Sequence, residues 1–301
     1  MDYGAIDIAC YPFTERELSE RRVGGDDVFL DKVRVSPTLR SGGVSMAEYV
    51  SRMVAAGVER ALLIASRTGD LRVQHSHATP YERIAEYCEA FPGRFHGVAG
   101  IDPSRTMAGL RELESGVRDY GFVAAHLLPQ WFEWAPDHRK YYPFYAKCCE
   151  LDIPIMMQMG QCLDYLRDRI LPSVGRPMTL DQVAIDFPEL RIVGTHLGWP
   201  WTDELIAICY KHANVYMSGD AHAPKYWPAS YVHFINSWGQ DKVMFGLNWP
   251  LVSPERGMEE IAAFNLRPEA QRKFLRDNAL RVFKLPAEPV ESPAPPAGEG
   301  S

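Results

Sequence analysis

No apolar run in this chain approaches the ~20 residues that a membrane-spanning helix needs, and no basic segment followed by an apolar one opens it. Long basic runs are missing as well. With 32 Lys and Arg against 39 Asp and Glu, the formal net charge is −7, which argues against a nucleic-acid or anionic-membrane partner. The six cysteines (Cys10, Cys88, Cys148, Cys149, Cys162, Cys209) form no C-x-x-C pair. They fall mostly inside predicted elements, as the reduced core thiols of a cytoplasmic protein do. No Gly-rich turn follows the first predicted strand, so the phosphate-binding crevice of an open doubly wound sheet is not expected. What remains is 301 residues of ordinary globular composition, 46% hydrophobic and 24% charged. A chain of this length buries enough surface to need no staples, and α/β barrels of ~250 residues fold as one domain.

Short β-branched runs alternate with longer amphipathic ones. The pattern predicts strands at 4–9, 60–65, 95–101, 123–128, 153–158, 191–196, 214–217 and 242–246. Helices are predicted near 45–56, 80–91, 106–119, 142–151, 179–187, 202–212, 228–238 and 255–265. The helix at 80–91 puts Ile84, Tyr87, Cys88 and Phe91 on one stripe. Asp152 then sets off a fully apolar run over 153–157, the signature of a buried parallel strand. Eight strand–helix repeats with right-handed crossovers close into an α/β fold, a (β/α)8 TIM barrel, here over residues 1–285. Residues 14–44 form a long first loop, either a lid over the barrel mouth or a segment packed beside it. Residues 286–301 are Pro-rich with no large apolar residue beyond Val290, so a disordered tail is expected.

A series of short fragments in order carries a family resemblance. Phe91-Pro92-Gly93-Arg94-Phe95-His96-Gly97 is followed by Ile101-Asp102-Pro103, and Gly121-Phe122-Val123 leads to Pro129 and then Tyr142-Pro143-Phe144-Tyr145. Phe187-Pro188-Glu189-Leu190-Arg191-Ile192-Val193 runs into His196-Leu197-Gly198, the most specific stretch. Asn214-Val215-Tyr216, Phe245-Gly246 and Asp277-Asn278-Ala279-Leu280-Arg281-Val282-Phe283 complete the series. Over residues 4–285 the chain resembles the second amidohydrolase family, the branch of aminocarboxymuconate-semialdehyde decarboxylase and the resorcylate decarboxylases. That resemblance implies a pocket at the barrel mouth and a divalent metal, often zinc. Its ligands in the family are a first-strand Asp-x-His-x-His pair, a fifth-strand His and an eighth-strand Asp. Here Asp7 keeps the first position, but the ligand positions read Ala9, Tyr11, Gln158 and Asn248. Ala has no donor atom, and neutral amide oxygens are poor ligands for zinc. A phenol of pKa ~10 gives up its proton reluctantly. No metal and no other cofactor is therefore expected.

The residues expected at the C-terminal ends of the strands are Ala9, Cys10, Tyr11, His126, Gln158, His196, Asp220, His222 and Asn248. Alternation puts Ala9 and Tyr11 on one face and Cys10, as a packed thiol, on the other. His196 is the candidate acid/base because an imidazole titrates near neutrality; the alternative is a hydrogen-bonded His left in a polar cavity. Tyr11 is either a proton or hydrogen-bond donor, or an aromatic filling vacated metal space. Gln158 and Asn248 either bind a carbonyl or carboxylate, or satisfy one another. His126 either faces the cavity or is a core His, and Asp220 either orients His222 or caps a turn. Trp199 and Trp249, with Trp131, Phe132, Trp134, Trp201, Tyr226 and Trp227, form a mouth wall for an apolar ligand or an oligomer interface. His75-Ser76-His77 copies an H-x-H pair inside a polar loop, where contact with substrate is the better reading than metal.

Two functions follow. One is a metal-independent hydrolase or lyase, decarboxylase-like, acting on a small aromatic or carboxylated molecule. The other is a non-catalytic barrel that binds a small molecule or assists a partner protein. Related barrels often dimerise, which implies a homo-oligomer.

Overall fold

The structure, a computed structural model, describes residues 3–20, 26–73, 76–163, 170–288 and 290. Eight parallel strands stand in sequence order in one sheet: β1 (Ala5–Cys10), β2 (Val58–Ala65), β3 (Phe95–Gly100), β4 (Ala124–Leu127), β5 (Ile155–Gln158), β6 (Ile192–Thr195), β7 (Val215–Ser218) and β8 (Val243–Met244). The seam between β8 and β1 closes through Ile8 N to Phe245 O (3.1 Å), Asn248 N to Ala9 O (2.8 Å) and Tyr11 N to Trp249 O (3.2 Å). All eight predicted strands are present, and the molecule is a (β/α)8 barrel. The last strand is shorter than predicted because Phe245 N turns away to donate to Phe274 O (3.0 Å).

Inside the barrel, Ile6, Ile8, Leu62, Ile64, Val98, Met156, Val193 and Met244 pack in layers. The helix Asn278–Phe283 adds Ala279, Val282 and Phe283 to the same cluster. It sits under the N-terminal strand ends, because Asn278 Nδ2 donates to the Gln240 and Val243 carbonyls (both 2.8 Å). With that end plugged, the open end is the C-terminal one.

Ser45 starts the helix Met46–Ala55 by accepting from Glu48 N (3.2 Å), a Ser-x-x-Glu start that the sequence spells out. The predicted loop at 14–44 instead holds three short helices, Glu15–Glu20, Asp26–Lys32 and Pro37–Gly42. Ser36 caps the third, with Pro37 at its first position, and Leu30 and Val35 are buried against the core. This apolar anchoring is what periodicity alone does not register in a segment of turn-length helices. All six cysteines are free, and Cys10 packs outward with its thiol 3.3 Å from the Tyr49 hydroxyl. No helix among the described residues is long and apolar enough to cross a membrane.

At the closed end, buried Arg60 and Arg276 share the carboxylate of Glu59 (2.9 Å each), and Arg276 also reaches Gly4 O (2.8 Å). Arg60 donates to the Pro286 carbonyl (2.6 Å) and to that of Glu288. Beyond residues 286–288 and Val290, the tail expected to be disordered lies outside the described residues. Removing one member of such a cluster leaves buried charge poorly compensated. Arg276→Met is expected to lower unfolding free energy by about 3 kcal/mol in urea titrations, and a loss below ~1 kcal/mol would show the cluster to be incidental.

Candidate active site

A cavity of about 930 Å³ opens at the C-terminal ends of the strands. Its floor is built by Tyr11 after β1, Gln158 at the end of β5, His196 after β6, His222 after β7 and Asn248 after β8. Three of these strand ends turn through left-handed backbone, at His196 (φ 62°), Ala221 (φ 67°) and Asn248 (φ 58°). For residues with a Cβ this conformation is strained, and here it re-aims the side chains at the end of each strand. At β1 the same end is reached by a bulge. Asp7 Oδ1 accepts from Ala9 N and from Leu247 N (both 3.0 Å), and the pairing with β2 shifts register between Asp7 and Cys10. Ile8 and Ala9 therefore both face inward, and Tyr11 lands in the cavity.

Buried Asp220 lies beneath His196. Its Oδ1 accepts from His196 N (3.1 Å) and from the Ser218 hydroxyl. Its Oδ2 is 3.2 Å from His196 Nε2 but off the line of a hydrogen bond. The imidazole makes no hydrogen bond among the described residues and is open to a ligand. Burial lowers the His196 pKa below the usual imidazole range, and Asp220 partly offsets this. Burial also takes His222 down to about 4 and His126 to about 3, each further lowered by His196. Asp7 is pushed up to about 8 by its burial, against the pull of its two N–H donors. Asn248 Oδ1 is buried without a partner, and neither Gln158 nor Asn248 satisfies the other.

The expected residues divide cleanly. Tyr11, Gln158, His196, His222 and Asn248 meet in the cavity. His126 does not line it: buried within β4, it sits edge-on to Tyr11 at 6.2 Å with Nδ1 unpartnered. Asp220 acts on His196 rather than standing beside His222 as its orienter. Trp249 points the other way, tilted against Tyr49 at 5.0 Å with the Arg52 guanidinium 5.0 Å from its ring. At this left-handed turn the seam hydrogen bonds of Asn248 N to Ala9 O and of Tyr11 N to Trp249 O fix which neighbour faces inward. Trp199 is 40% exposed and tilts against His222 at 6.0 Å without lining the cavity. Trp131 and Tyr226 do line it, whereas Trp227 is buried and donates to His222 O (2.8 Å). His75 lies outside the described residues, but Ser76 and His77 face the cavity. Sequence reasoning missed Ser66 and Thr68 just after β2, where the strand-end rule could have found them, and Lys32, Arg34, Lys225 and Arg256 around the mouth.

The donor set does not suit the divalent metal that the resemblance implies. Its positions supply a methyl, a phenol and two neutral amides, and no group of three His, Cys, Asp or Glu side chains that could hold a metal occurs among the described residues.

Two outcomes follow from the electrostatics. Asp220→Asn removes the charge that favours the imidazolium, so the His196 pKa read from its ring proton shifts in NMR should fall further; a rise would contradict the geometry. For His126 and His222 the folded pKa lies below the unfolded value of 6.5, so protons bind the unfolded chain preferentially. Their contribution to stability is complete above that value and declines as pH falls, so urea midpoints should drop from pH 6.5 down to about 4, and less steeply in His222→Gln.

The family model described as amidohydrolase matches residues 38–285. A 2-keto-4-carboxy-3-hexenedioate hydratase from a Sphingobium species is 34% identical over 164 residues, 46% of this chain and 46% of that protein, less than half its length. A gamma-resorcylate decarboxylase from Rhodococcus jostii is 24% identical over 276 residues, 75% of this chain and 78% of that protein. The solved structure of an uncharacterized TIM-barrel protein from Bordetella bronchiseptica aligns with a TM-score of 0.76 at 23% identity, over 93% of this chain and 98% of that one. That likeness bears on the fold alone. With strands, seam and strand-end site laid out as the motifs implied, the chain belongs to the amidohydrolase family.

Proposed function

We propose that this chain is a lyase, of the decarboxylase or hydratase type, that acts on a small aromatic or carboxylated molecule without the family's divalent metal. The observation that carries the reading is His196, open to the cavity with Asp220 behind it, among neutral polar groups at the former ligand positions. Decarboxylation and hydration both require a proton to be moved at a carbon next to an electron-withdrawing group. In decarboxylation the carbon that loses CO2 keeps the C–C electron pair and gains a proton; in hydration water loses a proton as its oxygen bonds to one alkene carbon and the other carbon gains one. His196, backed by the Asp220 carboxylate, delivers the proton to carbon as the imidazolium and takes the proton of water as the neutral ring. Tyr11, Gln158 and Asn248 supply neutral hydrogen bonds to the oxygen on which charge develops. The relatives named as a decarboxylase and a hydratase support this reaction class, and the donor set supports the metal-free form of it.

The test is metal content by mass spectrometry after expression with added zinc, manganese and iron, beside turnover of hydroxybenzoates and unsaturated keto acids. Substoichiometric metal throughout is expected. About one equivalent per chain that survives dialysis and is lost in His196→Asn would overturn the metal-free reading. His196→Asn should cut kcat/KM by about 10²–10⁴-fold with little change in binding. Binding of substrates without turnover in the wild-type protein would make the chain a non-catalytic member instead.

A further inference from the structure

Charge is distributed unevenly along the depth of the cavity. The floor carries no Lys or Arg, and the carboxyl groups of Asp7 and Asp220 lie beneath it. Its free capacity is neutral, an unpartnered buried acceptor at Asn248 Oδ1 and the amide of Gln158. The mouth is the reverse. Lys32 and Arg34 from the helical segment after β1, Lys225 after β7 and Arg256 after β8 all line the opening. Of these, Arg256 has its own carboxylate partner, and the Glu20 carboxylate at the opening is engaged elsewhere. Glu20 is held by both Arg83 amines (2.7 and 2.9 Å), and Glu260 is paired with Arg256 (2.8 Å). Exposed Arg34 forms no ion pair among the described residues, and the Lys225 ammonium rests 5.0 Å from the Tyr226 ring. Between mouth and floor the walls are apolar, with Leu128, Trp131, Leu251 and Val252.

We infer that the cavity takes an elongated, largely apolar acid, bound with its carboxylate at the mouth on Arg34 and Lys225 and its neutral hydroxyl or carbonyl end on the floor. This rests on the reading of the floor as the reacting end and gives that site its substrate class. A carboxylate driven to the floor would lose its water without meeting a cation and would stand next to Asp220. At the mouth it keeps part of its hydration and gains two cations. Size agrees. A single benzene ring fills an apolar cavity of about 150 Å³, so a space of about 930 Å³ is far larger than one ring needs. Of the two reaction types this orientation selects hydration: water adds across a C=C conjugated to the carbonyl at the floor, and the carboxylate at the mouth is an anchor that the reaction leaves unchanged.

The experiment is calorimetric binding of two probes, a biphenyl carrying a hydroxyl at one end and a carboxylate at the other, and its matching carboxamide. The acid should bind the wild-type protein more tightly than the amide, and more weakly at high salt. The double variant Arg34→Gln/Lys225→Gln, at exposed positions that the fold does not need, should weaken the acid about tenfold and leave the amide within about twofold. Gln158→Leu should weaken both probes alike. Acid binding indifferent to the mouth pair but lost selectively in Gln158→Leu would overturn the orientation, and so would failure of both probes to bind at millimolar concentration. Acid binding abolished by a chelator would instead strike at the metal-free reading. His196→Asn, expected to stop turnover and spare both probes, keeps the failure of the catalytic assignment separate.

Discussion

One carboxyl oxygen ties the barrel seam to the site. Asp7 Oδ1 accepts a backbone N–H from each side of the closure, Ala9 on β1 and Leu247 beyond β8, inside a region where no water competes. The bond to Ala9 sets the bulge that turns Tyr11 into the cavity, and the bond to Leu247 fixes the turn that presents Asn248. Gly246 is part of the same arrangement, since a Cβ there would come within 2.9 Å of Asp220 Cβ. Seam, Asp220 and His196 are thus packed as one unit. The cost of burying Asp7 shows in its raised pKa, a cost that a closed barrel with a shaped mouth can carry.

Around that unit the floor and the rim of the cavity differ in electrostatic character. A metal centre concentrates positive charge at the bottom of the barrel and draws anions inward. With amides and a phenol at those positions, the positive groups stand at the rim, on the segment after β1, the turn after β7 and the start of the helix after β8. A ligand entering this cavity meets cations at the rim and neutral polar groups below. Strand ends and inserted segments vary independently in a barrel, which is why the architecture tolerates such a distribution.

The strands and the helices of the repeat were legible because their buried faces leave strong periodic patterns, and the strand-end rule pointed to Tyr11, Gln158, His196, His222 and Asn248, which line the cavity. Less legible were residues whose orientation depends on a single backbone dihedral. Trp249 and Asn248 are neighbours at a left-handed turn, and which of them points inward is fixed by the seam hydrogen bonds rather than by residue type. The helices at 14–44 were missed because each is shorter than the window over which a helical period can be seen, and their stability comes from docking on the barrel.

By itself the sequence determined the barrel, the plane in which the site lies and the loss of ligand chemistry at three strand ends, because these depend only on residue type and period. The tertiary structure alone decided that Asp220 serves His196, that His126 is buried beneath Tyr11, and that Arg34, Lys225 and Arg256 share one opening. Those relations join residues tens to hundreds of positions apart, and only the closure of the barrel brings them within reach of one another.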